Sequence, residues 1–454
     1  MAPLVIQLGA APEPIEALSR FAGWPEPRLL HSAAHDHPLS RYSFVSADPV
    51  STIAADAAEW PAVRERIRGA IAHGSPAIAD LPPFQGGWLG WFGYELGSAF
   101  DEITRHRNEP LPIPDVVLGL HDWVIAWDHQ RGETWLISTG IDAAGNHDAA
   151  RAGQRSERVM QQLTAAEATG PVSSAGNVTP MQADFTEATY LAAVSRVIEY
   201  VLAGDIFQAN LAQRFTVPFS GDALALYRHL TMQSPAPMGA YLQHGAIAVA
   251  SASPERFLRF DAATRQVETR PIKGTRPRDS DPGRDAAAAA ELAASEKDRA
   301  ENVMIVDLLR NDLSRVCLPG TVHAPTLCAL ESHATVHHLV STVVGELRPE
   351  CDAVDLLAAS FPGGSITGAP KLRAMEIIRE IEPVARGVYS GAIAWIGLDG
   401  SMDTSIVIRT IAIVNGIAAL HAGGGITAMS SQAEEYQETL DKAAAPLAAI
   451  RAAQ

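Results

Sequence analysis

The spacing of apolar residues predicts a helix that begins after Thr186 and ends before Gly204. Threonine often caps a helix because its hydroxyl accepts a hydrogen bond from a free backbone N–H, and glycine often ends one because it tolerates a left-handed backbone. Between these two residues the apolar positions recur three or four apart, so they lie on one face. They are Tyr190, Leu191, Val194, Val197, Ile198, Val201 and Leu202. We predict that this face is buried.

Two further helices are predicted to carry acidic residues. Residues 285–316 open with a run of alanines and continue with apolar residues at helical spacing, which predicts one long helix. Asp298 and Glu301 lie on the same side as Ile305, so Glu301 is expected to point towards packed structure. A second helix is predicted after Ser431. Its acidic residues are Glu434, Glu435, Glu438 and Asp441.

Apolar runs bounded by glycine, proline or polar residues predict several strands. The segments are WVIAW, TWLIST, IFQANLAQRFTV, AIAVASAS, ERFLRF, GAIAWIGLDG, TSIVIRTIAIV and IAALHAGGGITA. Arg409 falls inside the seventh segment, where a guanidinium among apolar residues needs an anionic partner. The backbone N–H groups of Gly423, Gly424 and Gly425 in the eighth segment are further donors for such an anion.

A segment of small polar residues and prolines near residues 168–184 predicts a linker or a long surface loop. We therefore expect an N-terminal region, residues 1–165, and a C-terminal region, residues 181–454, that are intertwined in one fold. In the first region the segment GGWLGWFGYELG mixes glycines with aromatic residues. That mixture is typical of a closely packed core rather than of a cofactor loop.

The composition is that of a globular protein that binds small molecules or other proteins. The chain has 454 residues, 47% of them hydrophobic, and a formal net charge of −17. This charge argues against nucleic acid as a partner because the phosphates would be repelled. The sequence lacks a signal-peptide pattern and an apolar run of about 18 residues, so we expect a cytoplasmic protein that does not bind membranes. Three cysteines are too few for a disulfide framework.

Four histidines of the N-terminal region invite a metal-site interpretation. They are His31, His35, His37 and His121. No cysteine and no second pair of ligands at helical spacing accompany them, so a solvated loop is the preferred interpretation of the segment HSAAHDH.

The segment from Phe361 to Met375 contains glycines and a lysine but is not a phosphate-binding loop. Such a loop requires Gly-Lys-Ser/Thr, whereas Gly368 is separated from Lys371 by two residues. Pro370 can instead open a helix, whose free N–H groups together with Lys371 would hold a carboxylate.

Lys273 is the residue whose surroundings most suggest a chemical role. It stands in TRPIKGTRPR, after Ile272 and before Gly274 and Thr275, so its stem is expected to be buried. The chain has only four lysines among its 35 lysines and arginines. A desolvated lysine can lose its proton and act as a nucleophile or base, which arginine cannot do. The alternative is a structural lysine at a turn.

The acidic residues of the two predicted helices form a candidate metal site. Like charges three and four residues apart repel each other, and a bound cation would remove that cost. Carboxylate oxygens without cysteine or an ordered set of histidines favour magnesium over zinc. The alternative is two solvated acidic faces.

Eight motifs, in this order, resemble those of the chorismate-utilising enzymes. They are SPERF, PIKGT, DRAENVMIVDLLRNDL, HHLVS, FPGGSITGAPK, MDTSIVIRT, AGGGI and EYQET. The resemblance implies an α+β fold in which two antiparallel sheets pack face to face with helices outside, and an active site in the cleft. It is closest to the members that make 4-amino-4-deoxychorismate for 4-aminobenzoate and folate, because the anthranilate-forming members usually have alanine at the position of Lys273. Gln208 stands where the isochorismate-forming members keep a lysine base, so ammonia rather than water is the expected nucleophile.

The resemblance also implies residue roles. Glu255 would protonate the hydroxyl that leaves carbon 4, Lys273 would attack carbon 2, and ammonia would then add at carbon 4 and expel the lysine. His338 would lie against the ring, and Thr275 is grouped with Lys273, Glu255 and His338 as a catalytic residue. The implied magnesium ligands are Glu301 and Glu438, with Asp298 and Glu435 behind them. The candidate substrate contacts are Gly274, Thr275, Lys371, Tyr389, Arg409, Gly423, Gly424 and Gly425.

Two further expectations concern ammonia and tryptophan. None of the three cysteines lies on a glycine-flanked elbow, so a separate glutamine amidotransferase subunit is expected to supply ammonia. The segment LLHSAAHDHPLSRYSF is similar to the region where relatives bind tryptophan, and Ser32, Pro237 and Met238 are the candidate contacts. His31 replaces a glutamate usual in the feedback-inhibited members. This replacement argues against feedback inhibition and leaves a structural tryptophan as the open alternative.

Two alternatives remain at this stage. The first is the large subunit of an anthranilate synthase, whose product lacks the enolpyruvyl group. The second is an inactive regulator that binds chorismate or tryptophan. The presence of Glu255, Lys273, Glu301 and Glu438 argues against the regulator, which would need neither an acid nor a nucleophile.

Overall fold

The computed structural model describes residues 2–454 except 75, 107, 166–179 and 334–335. The predicted linker lies mostly in the gap at 166–179, outside the described residues. The strands are β1 Leu4–Leu8, β2 Arg28–His31, β3 Tyr42–Ser46, β4 Ser51–Ala55, β5 Gly87–Phe92, β6 Val116–His121, β7 Trp123–Asp128, β8 Glu133–Ser138, β9 Gln182–Ala183, β10 Gln208–Pro218, β11 Met238–His244, β12 Ile247–Ser253, β13 Arg256–Phe260, β14 Gln266–Thr269, β15 Ile272–Pro277, β16 His323–Ser332, β17 Val336–Glu346, β18 Gly368–Ala369, β19 Ala392–Gly397, β20 Met402–Ile406, β21 Thr410–Val414 and β22 Ile417–Ile426. The helices are α1 Pro14–Arg20, α2 Trp60–Ala72, α3 Ala149–Thr164, α4 Glu187–Leu202, α5 Ala223–Gln233, α6 Pro282–Ala294, α7 Glu296–Ser314, α8 Ala353–Ser360, α9 Lys371–Ile381 and α10 Gln432–Ala452.

The strands form two antiparallel sheets, as the resemblance implied. The first sheet has the order β1-β8-β7-β3-β2-β11-β12-β21-β22-β10-β18, with β9 on β10. The second has the order β15-β17-β14-β13-β20-β19-β5-β6-β4, with β16 on β17. Strands from before and after the predicted linker pair directly in both sheets, β2 with β11 and β5 with β19. The two sequence regions therefore share one fold.

The two sheets pack through a shared apolar core. Val124 and Val249 of the first sheet belong to the same buried cluster as Trp91, Val117 and other residues of the second. Strands buried on both faces lose the alternation of polar and apolar residues, which explains why β5, β6 and β7 are apolar or glycine at almost every position. The core between the sheets fixes their relative position.

Helices cover the outer faces of both sheets. Apolar residues of α1, α3, α5 and α10 pack on the first sheet, and those of α2, α7 and α8 pack on the second. Helices α4 and α9 pack at the end of β10 and β22. Among the described helices, none is both long enough and apolar enough to cross a membrane.

The helix after Thr186 is confirmed as α4, whose first turn is capped by the Thr186 hydroxyl and which is followed by Gly204 at φ +84°. The single helix predicted over residues 285–316 is wrong. Ser295 adopts an extended backbone and its side chain accepts a hydrogen bond from the Asp298 N–H, so α6 ends and α7 begins there. Serine is a preferred residue at the start of a helix because its hydroxyl accepts a backbone hydrogen bond. The helix-forming residues on both sides of Ser295 nevertheless predict an uninterrupted helix.

The prediction that Arg409 lies inside a strand is also wrong. β20 pairs with β13 and β19 in the second sheet, whereas β21 pairs with β12 and β22 in the first. The chain therefore crosses from one sheet to the other between Ile406 and Thr410. Arg409 takes φ +51° at this crossing, a conformation that is uncommon outside glycine.

The histidines of HSAAHDH do not all lie in a solvated loop. His31 ends β2, His35 is exposed, and the ring of His37 stacks on His333 with 4.1 Å between centroids. His121 ends β6, buried, with its Nδ1 2.8 Å from the Ser46 hydroxyl. His333 and Ser46 contact His37 and His121 from distant parts of the chain, so local composition could not reveal these contacts.

The glycine-aromatic segment forms β5, which is buried at every position, as expected for a core strand. A Cβ placed on Gly90 would lie 1.8 Å from the backbone oxygen of Val117 on the neighbouring strand, whereas a Cβ on Gly153 in α3 would meet nothing within 4 Å. We expect Gly90→Ala to lower the free energy of unfolding by about 1–3 kcal/mol through overpacking. The matched control Gly153→Ala should raise it by about 0.5–1 kcal/mol, because alanine is the better helix former. Chemical denaturation of both variants checks this prediction, and equal effects of the same sign would contradict it.

Candidate active site

The segment that carries Lys273 is a distorted strand that approaches α7. β15 pairs with β17, and their register shifts between Ile272 and Thr275, which places an irregularity at Lys273 and Gly274. Gly274 has φ +82°, and a Cβ there would lie 2.9 Å from the Cβ of Asp298. Only glycine fits this conformation and this close approach. The irregularity directs the lysine towards α7.

Lys273 forms a largely buried ion pair with Glu301. Its Nζ lies 2.7 Å from Glu301 Oε1, and the two side chains are 11% and 12% exposed. The same oxygen accepts a hydrogen bond of 2.6 Å from Gln208 Nε2 on β10. Burial alone would raise the pKa of Glu301, but Lys273 and Gln208 outweigh it and hold that pKa below its ordinary value. The carboxylate is therefore ionised, as a metal ligand must be.

Two glycines of β22 bring the carboxylates of α7 and α10 to one stretch of backbone. A Cβ on Gly425 would lie 2.5 Å from Glu301 Oε1, and one on Gly424 would lie 2.8 Å from Glu435 Oε2 and 3.3 Å from Glu438 Oε1. Glu435 Oε2 is buried and, within the described part of the chain, has no hydrogen-bond partner. An orphaned carboxylate oxygen beside other carboxylates suits a hard cation such as magnesium.

Glu255 lies between β12 and β13 and is 5% exposed. Burial raises its pKa from the ordinary 4.5 to about 7, although a hydrogen bond from Ser365 and the charges of Lys273 and Lys442 act in the opposite direction. A carboxyl group with this pKa can hold and release a proton near neutral pH. Lys273 and Lys442 lie close enough for their charges to act on the pKa of Glu255, so Glu255 shares the cleft with the carboxylates that they contact.

His338 and Arg409 form the other side of this region. His338 Nδ1 lies 2.9 Å from the Thr275 hydroxyl. Burial, followed by the charge of Arg409, lowers the pKa of His338 to about 3, so the imidazole is neutral. No carboxylate of the described residues lies within 4 Å of Arg409, and burial lowers the pKa of its guanidinium. A guanidinium without a carboxylate partner in the described part of the chain, next to a neutral ring, is suited to an anionic ligand.

Tyr389 and Lys371 have different surroundings. The buried ring of Tyr389 stacks on His421 of β22, with 5.0 Å between centroids, two residues before Gly423. Lys371 Nζ lies 2.6 Å from Asp312 and 2.8 Å from the backbone oxygen of Ser360. This ammonium is already neutralised inside the protein, so the geometry does not support its predicted contact with a substrate carboxylate.

Ser32, Pro237 and Met238 line one pocket between the two sheets. The Ser32 hydroxyl donates to the backbone oxygen of Tyr42 at 2.7 Å and lies 3.3 Å from that of Pro237. Trp395 and the ion-paired Arg256 and Asp403 also line this cavity. It therefore combines an aromatic wall with charges of both signs.

One group of possible metal ligands lies outside the cleft. Within the described residues, His37, Glu331 and His333 have ligand atoms within 4.8 Å of one another. Arg270 already pairs with Glu331, and His37 Nδ1 accepts a hydrogen bond from the Leu39 N–H. Arg270 repels a cation and the Leu39 N–H occupies one ring nitrogen of His37, so this group is poorly suited to a metal ion.

The sequence interpretation missed Gln208 and Lys442 as neighbours of the carboxylates. The sequence indicates only that Gln208 replaces a lysine, yet its amide donates a hydrogen bond to Glu301. Lys442 Nζ lies 2.6 Å from Glu438 Oε1. The signal for the second contact was present, because a glutamate followed four residues later by a lysine commonly pairs on a helix.

The chain matches a known protein family over most of its length. The family described as chorismate binding enzyme matches residues 26–448. The chain belongs to the chorismate-binding enzymes. It is 41% identical over 438 residues to aminodeoxychorismate synthase component 1 of Escherichia coli, covering 93% of both chains. It is 36% identical to anthranilate synthase component 1 of Bacillus caldotenax, covering 97% of this chain and 92% of that one.

The fold of this chorismate-binding enzyme matches solved structures of the same family. The crystal structure of anthranilate synthase component I from Streptococcus pneumoniae aligns with a TM-score of 0.80 at 28% identity. The alignment covers 90% of this chain and 93% of that chain. The two-sheet α+β architecture expected from the motifs is thereby confirmed.

The raised pKa of Glu255 makes a prediction about stability. Because this pKa rises on folding from 4.5 to about 7, the free energy of unfolding falls as the pH rises through this interval. Glutamine imitates the neutral acid and does not titrate. We expect Glu255→Gln to match the wild type near pH 4.5 and to exceed it above pH 7 by about 1–3 kcal/mol.

Thermal unfolding of both proteins between pH 4.5 and 8 measures this difference. Glu65→Gln, on an exposed part of α2, serves as the control and should follow the wild-type curve. A Glu255→Gln curve parallel to the wild type at every pH would show that Glu255 ionises in the folded protein as it does in the unfolded chain.

Proposed function

We propose that this chain aminates chorismate at carbon 4 with ammonia and releases 4-amino-4-deoxychorismate. The observation that carries the proposal is Lys273. Its amine lies in the cleft, 2.7 Å from Glu301, in a region where burial raises the pKa of Glu255 to about 7. The similarity to aminodeoxychorismate synthase component 1 supports the same activity.

The proposed reaction begins with Glu255 and Lys273. Lys273 first loses its ammonium proton to solvent. Glu255 then gives its proton to the hydroxyl on carbon 4, which leaves as water while the neutral Lys273 amine forms a bond to carbon 2 and both ring double bonds shift. Ammonia then bonds to carbon 4, both double bonds shift back, and the bond between carbon 2 and Lys273 breaks. A proton from the added ammonia returns to Glu255. Chorismate and ammonia give aminodeoxychorismate and water, and both side chains are regenerated.

Other residues would hold the substrate. Arg409, Tyr389 and the backbone of Gly423–Gly425 are proposed to bind a carboxylate, and Gly274 and Thr275 to contact the substrate from β15. The neutral ring of His338 would lie against the substrate ring without adding charge. Because the Arg409 guanidinium has no carboxylate within 4 Å in the described structure, a substrate carboxylate would satisfy it.

Glu301 and Glu438 are proposed to hold magnesium, with Asp298 and Glu435 close behind. The orphaned Glu435 oxygen and the absence of a Cβ at Gly424 and Gly425 support this assignment. When bound, the ion would neutralise a substrate carboxylate and orient it in the cleft. An all-oxygen set of ligands matches the preference of magnesium.

Ammonia is proposed to come from a separate glutamine amidotransferase subunit. The cysteines of this chain support that arrangement, because two are buried and burial raises the pKa of Cys317 to about 11, which disfavours the thiolate. Anthranilate formation is the competing activity, since relatives with that name are also similar. Lys273 favours amination at carbon 4, because the anthranilate-forming relatives usually have alanine there.

Two substitutions of Lys273 separate covalent chemistry from charge. We expect Lys273→Arg to lose more than about 99% of aminodeoxychorismate formation, because a guanidinium does not release a proton near neutral pH. Lys273→Ala removes the nucleophile but opens space for ammonia at carbon 2, so we expect weak turnover that shifts towards anthranilate. The assay supplies chorismate, magnesium and ammonium salt, and identifies the products by mass.

The wild type provides the control for this assay. It should turn over with ammonium salt, but with glutamine only after an amidotransferase subunit is added. Full aminodeoxychorismate formation by Lys273→Arg would show that the residue acts through charge alone. Anthranilate as the wild-type product would overturn the proposed function itself.

The cavity lined by Ser32, Pro237 and Met238 is proposed to hold tryptophan as a structural ligand. Trp395 offers an aromatic wall for the indole ring beside these three residues.

We expect L-tryptophan to raise the wild-type melting temperature without slowing turnover. Met238→Lys should abolish this shift, whereas Met232→Lys, at a position 79% exposed, should keep it. Thermal unfolding with L-tryptophan and with L-phenylalanine measures the shift. Equal responses of the two variants would contradict this placement.

A further inference from the structure

Three of the four lysines in this protein contact carboxylates of the proposed magnesium site. Lys273 Nζ lies 2.7 Å from Glu301. Lys442 Nζ lies 2.6 Å from Glu438, and Lys297 Nζ lies 3.8 Å from Glu435. The chain otherwise prefers arginine strongly, since its 35 basic residues include only four lysines. The concentration of lysine at this one site is therefore a specific feature of the cleft.

The chemistry of lysine explains why it is placed there. Arginine binds a carboxylate through a rigid fork of two parallel hydrogen bonds, whereas an ammonium group is a compact point charge on a flexible stem. Lys442 and Lys297 are also 41% and 42% exposed, so their stems have room to move. These contacts can be made and released more easily than arginine pairs.

The charges around the site are balanced without a metal ion. Glu301, Glu435 and Glu438 are matched by three ammonium groups, and Asp298 lies 3.3 Å from the guanidinium of Arg276. A divalent cation added to this neutral group leaves two excess positive charges. A substrate with two carboxylates would restore neutrality, and the displaced ammonium groups would be available to it.

We propose that Lys273, Lys297 and Lys442 are resident counter-ions that magnesium displaces from the carboxylates when the site is loaded. This inference rests on the proposed function, because it takes Glu301 and Glu438 as the magnesium ligands. The displacement releases the Lys273 amine from Glu301 before it reacts. It also couples the binding of magnesium to that of the substrate. Magnesium adds two positive charges to the cleft, and the two carboxylates of the substrate neutralise them, so each ligand favours the binding of the other.

Limited acetylation of the purified full chain tests the displacement directly. The protein is treated with a small dose of an amine-acetylating reagent in EDTA, with magnesium, and with magnesium plus chorismate, all at one ionic strength. Peptide mass spectrometry then gives the modified fraction at each lysine. Lys371 is the internal reference, because its buried pair with Asp312 lies outside the proposed exchange.

We expect magnesium to increase acetylation of Lys273, Lys297 and Lys442 several-fold relative to Lys371. Unchanged or lower labelling at saturating magnesium would overturn the displacement. Isothermal titration calorimetry on the same protein establishes saturation. If calorimetry detects no magnesium binding, with or without chorismate, both the proposed metal site and the displacement fail. Binding with unchanged labelling removes the displacement alone.

A charge-matched pair of variants gives a second readout that does not depend on activity. Lys442→Met removes the competitor of Glu438, so we expect magnesium affinity to rise about two- to fivefold, the range that corresponds to an exposed ion pair. Arg64→Met removes one positive charge from α2, where Glu65 is the one ion-pair partner that Arg64 has among the described residues, and should leave the affinity unchanged. An unchanged or weaker affinity in Lys442→Met, or an equal rise in both variants, would overturn the proposal.

Discussion

The packing of the two antiparallel sheets is the constraint on which the rest of the structure depends. The shared core around Trp91 and Val249 fixes the relative position of the sheets, and the chain must cross between them at Ile406–Thr410. This crossing places Arg409 where neither sheet supplies it with a carboxylate in the described structure. The candidate substrate-binding arginine is thus a product of topology rather than of a local motif.

Electrostatic balance is the second organising feature. A cleft that concentrates carboxylates from α7 and α10 would repel itself without cations, and removing a partner from a buried charge is costly. Lysines meet this requirement while remaining displaceable. The same amine that neutralises Glu301 is the proposed nucleophile, so the stability of the empty cleft and the chemistry of the filled one depend on one side chain.

Burial shifts the pKa values of Glu255 and His338 in opposite directions for the same physical reason. Burial raises the pKa of Glu255 to about 7 and lowers that of His338 to about 3, because a low-dielectric environment disfavours the charged form of each. The result near neutral pH is a carboxyl group that can exchange its proton and an imidazole that is neutral. In the proposed reaction this arrangement reserves the positive charge for binding an anionic substrate and leaves one proton for the departing hydroxyl.

The sequence by itself determined the family, the two-sheet architecture and the position of α4, because apolar spacing, capping residues and ordered motifs are local signals. It did not determine the break at Ser295, since a helix-favouring neighbourhood concealed a competing cap. The sheet crossing at Arg409 and the internal pairing of Lys371 were decided by tertiary structure. Tertiary structure also decided the contact between Gln208 and Glu301, which are 93 residues apart in sequence. Such contacts form only when strands and helices from distant segments pack together, and the periodicity within one segment carries no information about which distant segment packs against it.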